Sequence, residues 1–229
     1  MQSNTAILIF SRLPQEEILH KKISSDKVAD LAVWQHLYER TFNAAERTGL
    51  PIIACREQEQ HGKNFAEKIT NAINSAFSKG YENLIVLGAD CAQLSQKHID
   101  LAYTQLRAGK EIVAGRDMRG GIYMLGLKRH AFNSRRFLSF NWQTNKLFKD
   151  IAAYAGSFSF AAIASVLKDI NTAKDIAKLV HFIEVKAVLK LLINRCFKTA
   201  AKKQAAFSEN ISSTLFAYHC ILRGPPSLL

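Results

Sequence analysis

The residues with the clearest capacity for chemistry lie at the end of an apolar segment, LIVLGADCAQLS at residues 84–95. Asp90 follows the aliphatic part of this segment after one glycine and one alanine. In α/β sheets, ligands bind beyond the carboxyl ends of the strands, which is where Asp90 is expected to lie. A carboxylate there can bind a hard cation such as Mg²⁺ or Mn²⁺, whose preferred ligands are oxygens. The alternative is that Asp90 caps a turn by accepting hydrogen bonds from nearby amides.

Apolar segments and helical patterns alternate through the first half of the chain. Strands are predicted at Thr5–Phe10 and at residues 51–55, 84–87, 111–114 and 120–127. Helical patterns fill the gaps: one capped by Ser25 that stops at Gly49, one at residues 64–78, and one from a Ser95 cap to about Gly109. This order predicts right-handed crossovers and a mostly parallel sheet between two layers of helices. Unbroken aliphatic strands are typical of sheets that are buried on both faces.

The pattern is looser after residue 115. The sequence predicts a helix that ends at Gly156, a short strand at residues 158–160, and a helix capped by Asn171 or Thr172. Residues 1–178 are therefore assigned to one α/β domain, and residues 179–229 to a basic, amphipathic helical extension.

The charged residues of the extension are mostly basic, since residues 178–229 hold eight Lys and Arg but only two Glu. Its broad apolar face favours packing on its own domain or on a second subunit as a homodimer. Peripheral contact with an acidic membrane is an alternative. Nucleic acid is not expected as a partner, because no stacked aromatic residues or known binding motif accompany the charge.

Composition sets broad limits on the class of protein. The chain has 229 residues with 48% hydrophobic and 22% charged residues, which suits one large domain with or without an appendage. The net charge of +12 favours anionic partners or reflects a solvated basic surface. The four cysteines lack zinc-site spacing and are interpreted as free thiols. With no signal peptide or membrane span apparent, a cytoplasmic protein is expected.

Six short motifs occur in an order that resembles a known family. They are FSRLP at residues 10–14, QHGKNFAEKI at 60–69, GADC at 88–91, RDMRGGIYMLGL at 116–127, NWQT at 141–144 and KDINTAKDI at 168–176. The chain resembles the bacterial glycosyltransferase A-like family of predicted nucleotide-diphospho-sugar transferases over about residues 5–178. These proteins are relatives of the sugar-phosphate nucleotidylyltransferases and the molybdenum cofactor guanylyltransferase. The resemblance implies a Rossmann-like, three-layer fold and transfer of a glycosyl or nucleotidyl group from a nucleotide-sugar or other nucleotide.

The resemblance also implies roles for individual residues. Asp90 would bind a divalent cation, Mg²⁺ or Mn²⁺, that bridges the two phosphates. The diphosphate would be bound by Arg12, Lys21 and Lys22, and the base by Gln60 and Gly62. The backbone would approach the substrate closely at Gly120 and Gly121. An acceptor would be bound by Trp142 and Thr144. Asp117 is the candidate catalytic base.

Four positions depart from the family pattern. Glu17 replaces a glycine of the phosphate turn, Arg119 replaces an acid before the two glycines, Ile122 replaces an aromatic residue and Asn171 replaces an acid. An arginine cannot bind a cation, and a neutral amide is a weaker ligand than a carboxylate. Two hypotheses therefore stand: a cation-assisted transferase, and a non-catalytic member of the family that binds a nucleotide or a partner protein.

Overall fold

A single mixed sheet forms the centre of the described part of the protein. The computed structural model describes residues 4–23 and 26–172, together with Asp175. Its strands are β1 (Thr5–Phe10), β2 (Ile52–Cys55), β3 (Asn83–Leu87), β4 (Ile112–Asp117), β5 (Ile122–Lys128) and β6 (Phe160–Leu167). Their order in the sheet is β2-β1-β3-β5-β4-β6. Five strands run in the same direction and β5 runs against its neighbours β3 and β4.

Helices cover both faces of this sheet. They are α1 (Pro14–His20), α2 (Lys27–Glu46), α3 (Phe65–Ser78), α4 (Gln96–Arg107), α5 (Ser134–Leu138) and α6 (Leu147–Tyr154). Side chains of α3, α5 and α6 pack with Ala6 and Leu8 on one face. Side chains of α2 and α4 pack with Ile7 and Ile9 on the other. Since successive residues of a strand face opposite sides of the sheet, the all-aliphatic sequence of β1 supplies both cores at once.

The predicted fold class is confirmed, and three details were wrong. The segment after β1 was expected to be a phosphate-binding loop, but it forms α1, with Pro14 in its first turn and the Glu16 carboxylate accepting the Leu13 amide at 3.0 Å. The N-cap of α2 is Asp26, whose side chain accepts from two amides of the first turn. The weak strand at residues 158–160 is instead the eight-residue β6.

The predicted C-terminal extension, residues 179–229, lies outside the described residues. Within the described part, no helix has the length and apolar character needed to cross a membrane.

Candidate active site

One cleft opens where the chain leaves β1, β3 and β4 and enters β5, and its volume is about 670 Å³. Because β5 is antiparallel, its amino end meets the carboxyl ends of its neighbours at this edge. The lining carries five cationic side chains against four carboxylates, a net charge of +1. They are Arg12, Lys21, Lys63, Lys68 and Arg119, with Glu17, Asp90, Asp117 and Asp169.

Asp90 lies at this edge because the chain turns immediately after β3. The Asp90 carbonyl accepts the amide of Ile170 at 2.9 Å, and Cys91 forms an antiparallel bridge with Asp169. The segment that follows β3 is thereby attached to the segment that follows β6. This pairing places Asp169 beside Asp90, although 79 positions separate them in the sequence.

The ammonium of Lys21 occupies the space next to Asp90. Its Nζ lies 2.7 Å from Asp90 Oδ2 and 3.2 Å from Glu17 Oε1, and it also donates to the carbonyl of Ile170 at 3.4 Å. The Trp34 ring centroid is 5.6 Å away. Burial alone would lower the pKa of Lys21, but the Asp90 and Glu17 carboxylates raise it above its ordinary value. Lys21 is therefore a cation at neutral pH, held in position by two carboxylates.

Asp169 is a partly buried residue, and one of its carboxyl oxygens lacks a hydrogen-bond partner. Its Oδ1 is buried and accepts no hydrogen bond from the described residues. Burial raises the pKa of Asp169 well above its ordinary range, and the charges of Asp90 and Asp117 raise it further. The neighbouring Cys91 is 3% exposed, and burial raises the pKa of its thiol, which fits a packed thiol and not a nucleophile.

Asp117 closes the turn between β4 and β5. Its Oδ1 accepts the amides of Arg119 and Gly121, both at 2.7 Å. Gly120 has a φ of +90°, and a Cβ on it would lie 2.3 Å from the Asn145 carbonyl oxygen. A Cβ on Gly121 would lie 2.7 Å from Asp117 Oδ2. The two glycines are thus required by the turn itself, and one oxygen of the candidate base is already bound to the backbone.

Arg119 is part of an ion-pair cluster at the same turn. Its Nη2 donates to both oxygens of Asp175 at 2.6 Å, and Lys168 Nζ lies 3.2 Å from Asp175 Oδ1. Burial alone would raise the pKa of Asp175, but hydrogen bonds from Thr172, Asn171 and these two cations lower it to about 2. Asp175 therefore fixes the position of the Arg119 guanidinium.

The predicted phosphate and base contacts lie on the α1 side of the cleft. Arg12 is shared between Glu17 and Glu57, each at 3.5 Å. Gln60 donates to the carbonyls of Ser11 and Cys55 at 3.1 and 3.2 Å, which ties the ends of β1 and β2 together. Both side chains are thus already engaged by the protein, and both line the cleft.

The loop before α6 supplies the aromatic side of the cleft. Trp142 donates its Nε1 hydrogen to the Phe137 carbonyl at 2.7 Å, and its ring lies 5.8 Å from that of Phe65. Thr144 donates to the Asn141 carbonyl at 2.7 Å. Trp142 therefore packs against the core with one face and lines the cleft as well.

Most of the predicted site residues come together at this cleft. Those that line it are Arg12, Lys21, Gln60, Asp90, Asp117, Gly121, Trp142 and Thr144. Lys22 is exposed and does not line the cleft, and neither do Gly62 and Gly120. Sequence reasoning did not include Asp169 among the site residues. Its signal was the KDINTAKDI motif, where Asp169 was named as one of two remaining acids but was given no role in the site.

The described residues contain no group of three or more His, Cys, Asp or Glu side chains able to hold a metal ion. A cation that binds at this edge would need further oxygen ligands from a substrate or from water. Mg²⁺ commonly binds in this way, through one or two carboxylates and substrate phosphates.

Comparison with known sequences identifies the family. Residues 20–144 match the sequence model of DUF2064, a family described as an uncharacterized protein conserved in bacteria. The match covers more than half of the chain, and the chain belongs to this family. No curated protein sequence matches the chain significantly.

Comparison with solved structures defines the fold. A predicted nucleotide-diphospho-sugar transferase from Desulfovibrio desulfuricans G20 matches with a TM-score of 0.75 at 15% identity, over 88% of this chain and 98% of that one. Rv0371c from Mycobacterium tuberculosis H37Rv matches with a TM-score of 0.49 at 11% identity, over 78% and 98%. A cytidylyltransferase from Leptospira borgpetersenii matches with a TM-score of 0.45 at 14% identity, over 87% and 96%. The first of these likenesses confirms the nucleotide-diphospho-sugar transferase type of fold.

Proposed function

We propose that the protein binds a nucleotide diphosphate in this cleft and transfers a glycosyl or nucleotidyl group from it. The observation that carries the proposal is the group formed by Lys21, Asp90 and Asp169 at the carboxyl edge of the sheet. It combines a fixed cation with two adjacent carboxylates, one of which lacks a full set of partners. The fold, the family motifs and the size of the cleft support the same conclusion.

The charges of the cleft favour a cation that binds together with the phosphates. A diphosphate that enters beside Asp90 and Asp169 is repelled by them, and Lys21, the cation next to Asp90, is already paired with Asp90 and Glu17. A divalent cation between phosphates and carboxylates removes that repulsion. The residues that the structure describes offer too few ligands to hold such an ion firmly alone, so we infer that cation and nucleotide bind jointly.

Asp90 and Asp169 are the residues that would hold the cation. The unpartnered Oδ1 of Asp169 and the carboxylate chemistry of both residues fit Mg²⁺ or Mn²⁺. When bound, the ion would neutralise negative charge that develops on the leaving phosphate group.

The remaining roles follow from where the side chains lie. Lys21, 21% exposed, can contact a phosphate without leaving Glu17, and Arg12 lies beside the same glutamate. Gln60 is assigned to the base and Trp142 with Thr144 to the acceptor, since they line the two sides of the cleft. Asp117 would be the base through its Oδ2, because its Oδ1 already accepts two amides.

A non-catalytic nucleotide-binding protein is the second candidate. The position of the Lys21 ammonium, 2.7 Å from Asp90, favours it, because this ammonium already supplies a positive charge where the cation would bind. In such a protein Lys21 would bind the diphosphate without a metal ion.

Isothermal titration calorimetry of UDP, CDP, GDP and ADP, each with and without Mn²⁺, separates the candidates. The transferase proposal predicts binding that requires Mn²⁺ and is lost in Asp90→Ala. Binding that is independent of Mn²⁺ supports the non-catalytic candidate. If none of the four nucleotides binds, both candidates are wrong.

A further inference from the structure

The cleft has a second fixed cation that the proposed diphosphate site does not use. Arg119 lines the cleft from the turn between β4 and β5, and its side chain is 46% exposed. Asp175 holds the guanidinium through Nη2 alone. No described residue accepts from its Nε or Nη1, so two donor groups remain for a ligand.

The guanidinium of Arg119 is the exposed charge of its cluster. The cluster contains two cations, Arg119 and Lys168, and two carboxylates, Asp175 and Asp117, the second of which accepts the Arg119 backbone amide. The Lys168 and Asp175 side chains are 10% and 4% exposed, so the partly exposed guanidinium presents this charge to the cleft. An arginine whose orientation is fixed in advance loses little entropy when it binds a planar or tetrahedral anion.

The place of Arg119 in the sheet separates it from the phosphate contacts. Lys21 contacts Asp90 at the end of β3, whereas Arg119 follows β4, and β5 lies between these strands. Two strand spacings amount to about 10 Å. This distance is longer than a diphosphate group but within the reach of a complete nucleotide-diphospho-sugar. The backbone also joins the Arg119 turn to the acceptor loop, since Phe148 donates its amide to the Gly120 carbonyl at 3.0 Å.

We propose that Arg119 binds an anionic group, a carboxylate or a phosphate, on the part of the substrate that lies beyond the diphosphate. The proposal rests on the proposed function and adds a substrate class to it: an acidic donor sugar or a phosphorylated acceptor.

Matched ligands that differ in one charged group test this inference. For the donor, the pairs are UDP-glucose with UDP-glucuronate and GDP-mannose with GDP-mannuronate. For the acceptor, glucose and glucose 6-phosphate are titrated into protein saturated with the best-binding nucleoside diphosphate and Mn²⁺. A charge-assisted hydrogen bond predicts that the acidic member of one pair binds about tenfold more tightly. The pair that shows the preference identifies whether the anion belongs to the donor or to the acceptor.

Three variants assign the preference to Arg119. Arg119→Gln is expected to remove the tenfold preference and to leave binding of the neutral ligand within about twofold, whereas Arg119→Lys keeps part of the preference. Asp175→Asn is the control for a purely structural role, because it breaks the same ion pair but keeps the guanidinium. It is expected to retain most of the preference, and the part that is lost measures how much the fixed orientation contributes.

The outcomes are distinct from those that test the proposed function. If a nucleoside diphosphate binds but neither acidic series is preferred, or if the preference persists in Arg119→Gln, this inference is wrong and the proposed function stands. If Asp175→Asn loses the preference as fully as Arg119→Gln, Arg119 acts only by holding the local structure in place, and this inference is also wrong. If no nucleoside diphosphate binds, both proposals are wrong.

Discussion

Replacement of Lys21 by methionine is expected to strengthen the binding of a divalent cation. Methionine keeps much of the apolar stem that lies near Trp34 and removes the ammonium 2.7 Å from Asp90. Two unit charges about 4 Å apart in a water-like dielectric interact by about 1 kcal/mol, so a divalent ion at that distance is repelled by about 2 kcal/mol. Removal of the ammonium should therefore lower the Kd for Mn²⁺ by about thirtyfold.

The assay is electron paramagnetic resonance of free Mn²⁺ during titration with protein, without nucleotide. Lys22→Met is the matched control, because it removes a neighbouring cation that is exposed and does not line the cleft. The control should change the Kd less than about threefold, since exposed charges are screened. An unchanged or weaker Mn²⁺ affinity in Lys21→Met would refute the idea that Lys21 occupies a position that a metal ion can take.

Thermal unfolding of Lys21→Met measures how much the ion pairs of Lys21 with Asp90 and Glu17 stabilise the fold. Asp90 and Glu17 lose their shared cation, and their side chains are 30% and 13% exposed. Loss of a charged hydrogen bond at such a partly buried site should lower the free energy of unfolding by about 1–3 kcal/mol. Added Mn²⁺ should restore part of this loss in Lys21→Met.

Three further predictions concern the framework of the cleft. Gly120→Ala should lower the free energy of unfolding by about 3 kcal/mol in urea denaturation, because Gly120 has a positive φ and an added Cβ would collide with the Asn145 carbonyl. The control is Gly80→Ala, which should cost only about 1 kcal/mol, since Gly80 has a φ of +99° but open space around it. Equal costs would contradict the close approach of Gly120 to Asn145. The pKa of Asp175 is lowered to about 2, so its stabilising effect is present above the unfolded-state pKa and is lost as pH falls from about 4 towards 2. Asp175→Asn should therefore make the free energy of unfolding less dependent on pH in this range. An unchanged pH dependence would show that the ion pairs of Asp175 do not stabilise the fold. Asp169→Asn should raise the free energy of unfolding at neutral pH by about 1 kcal/mol in calorimetry, because it removes a carboxylate with a buried, unpartnered oxygen. The same variant should lose Mn²⁺-dependent nucleotide binding. A lower free energy of unfolding would contradict the unpartnered state of Asp169 Oδ1.

The framework of the sheet was predictable because its strands are local and strongly patterned. The prediction for β1 has the observed bounds, Thr5–Phe10, since six consecutive apolar or β-branched residues leave few alternatives. The cap of α4, Ser95, was predicted from a single residue in front of an amphipathic segment. The place of Asp90 at the cleft then followed from the rule for ligand sites in such sheets.

The pairings that define the chemistry could not be read from the sequence. Lys21 and Asp90 are 69 residues apart, and Arg119 and Asp175 are 56 apart. Both contacts depend on how the segments beyond α1 and β6 fold back over the edge of the sheet. The charged residues of α1 concealed its helix, because Pro14 and two adjacent glutamates are equally common in a solvated turn.

The most direct test of the account is a crystal structure with the best-binding nucleoside diphosphate and Mn²⁺, with anomalous scattering used to locate the metal. We predict a manganese peak within coordination distance of Asp90 and Asp169, with phosphate oxygens completing its ligands and the Lys21 ammonium turned towards a phosphate. A nucleotide bound away from the β3 edge, or a diphosphate held by Lys21 with no metal at Asp90, would contradict it.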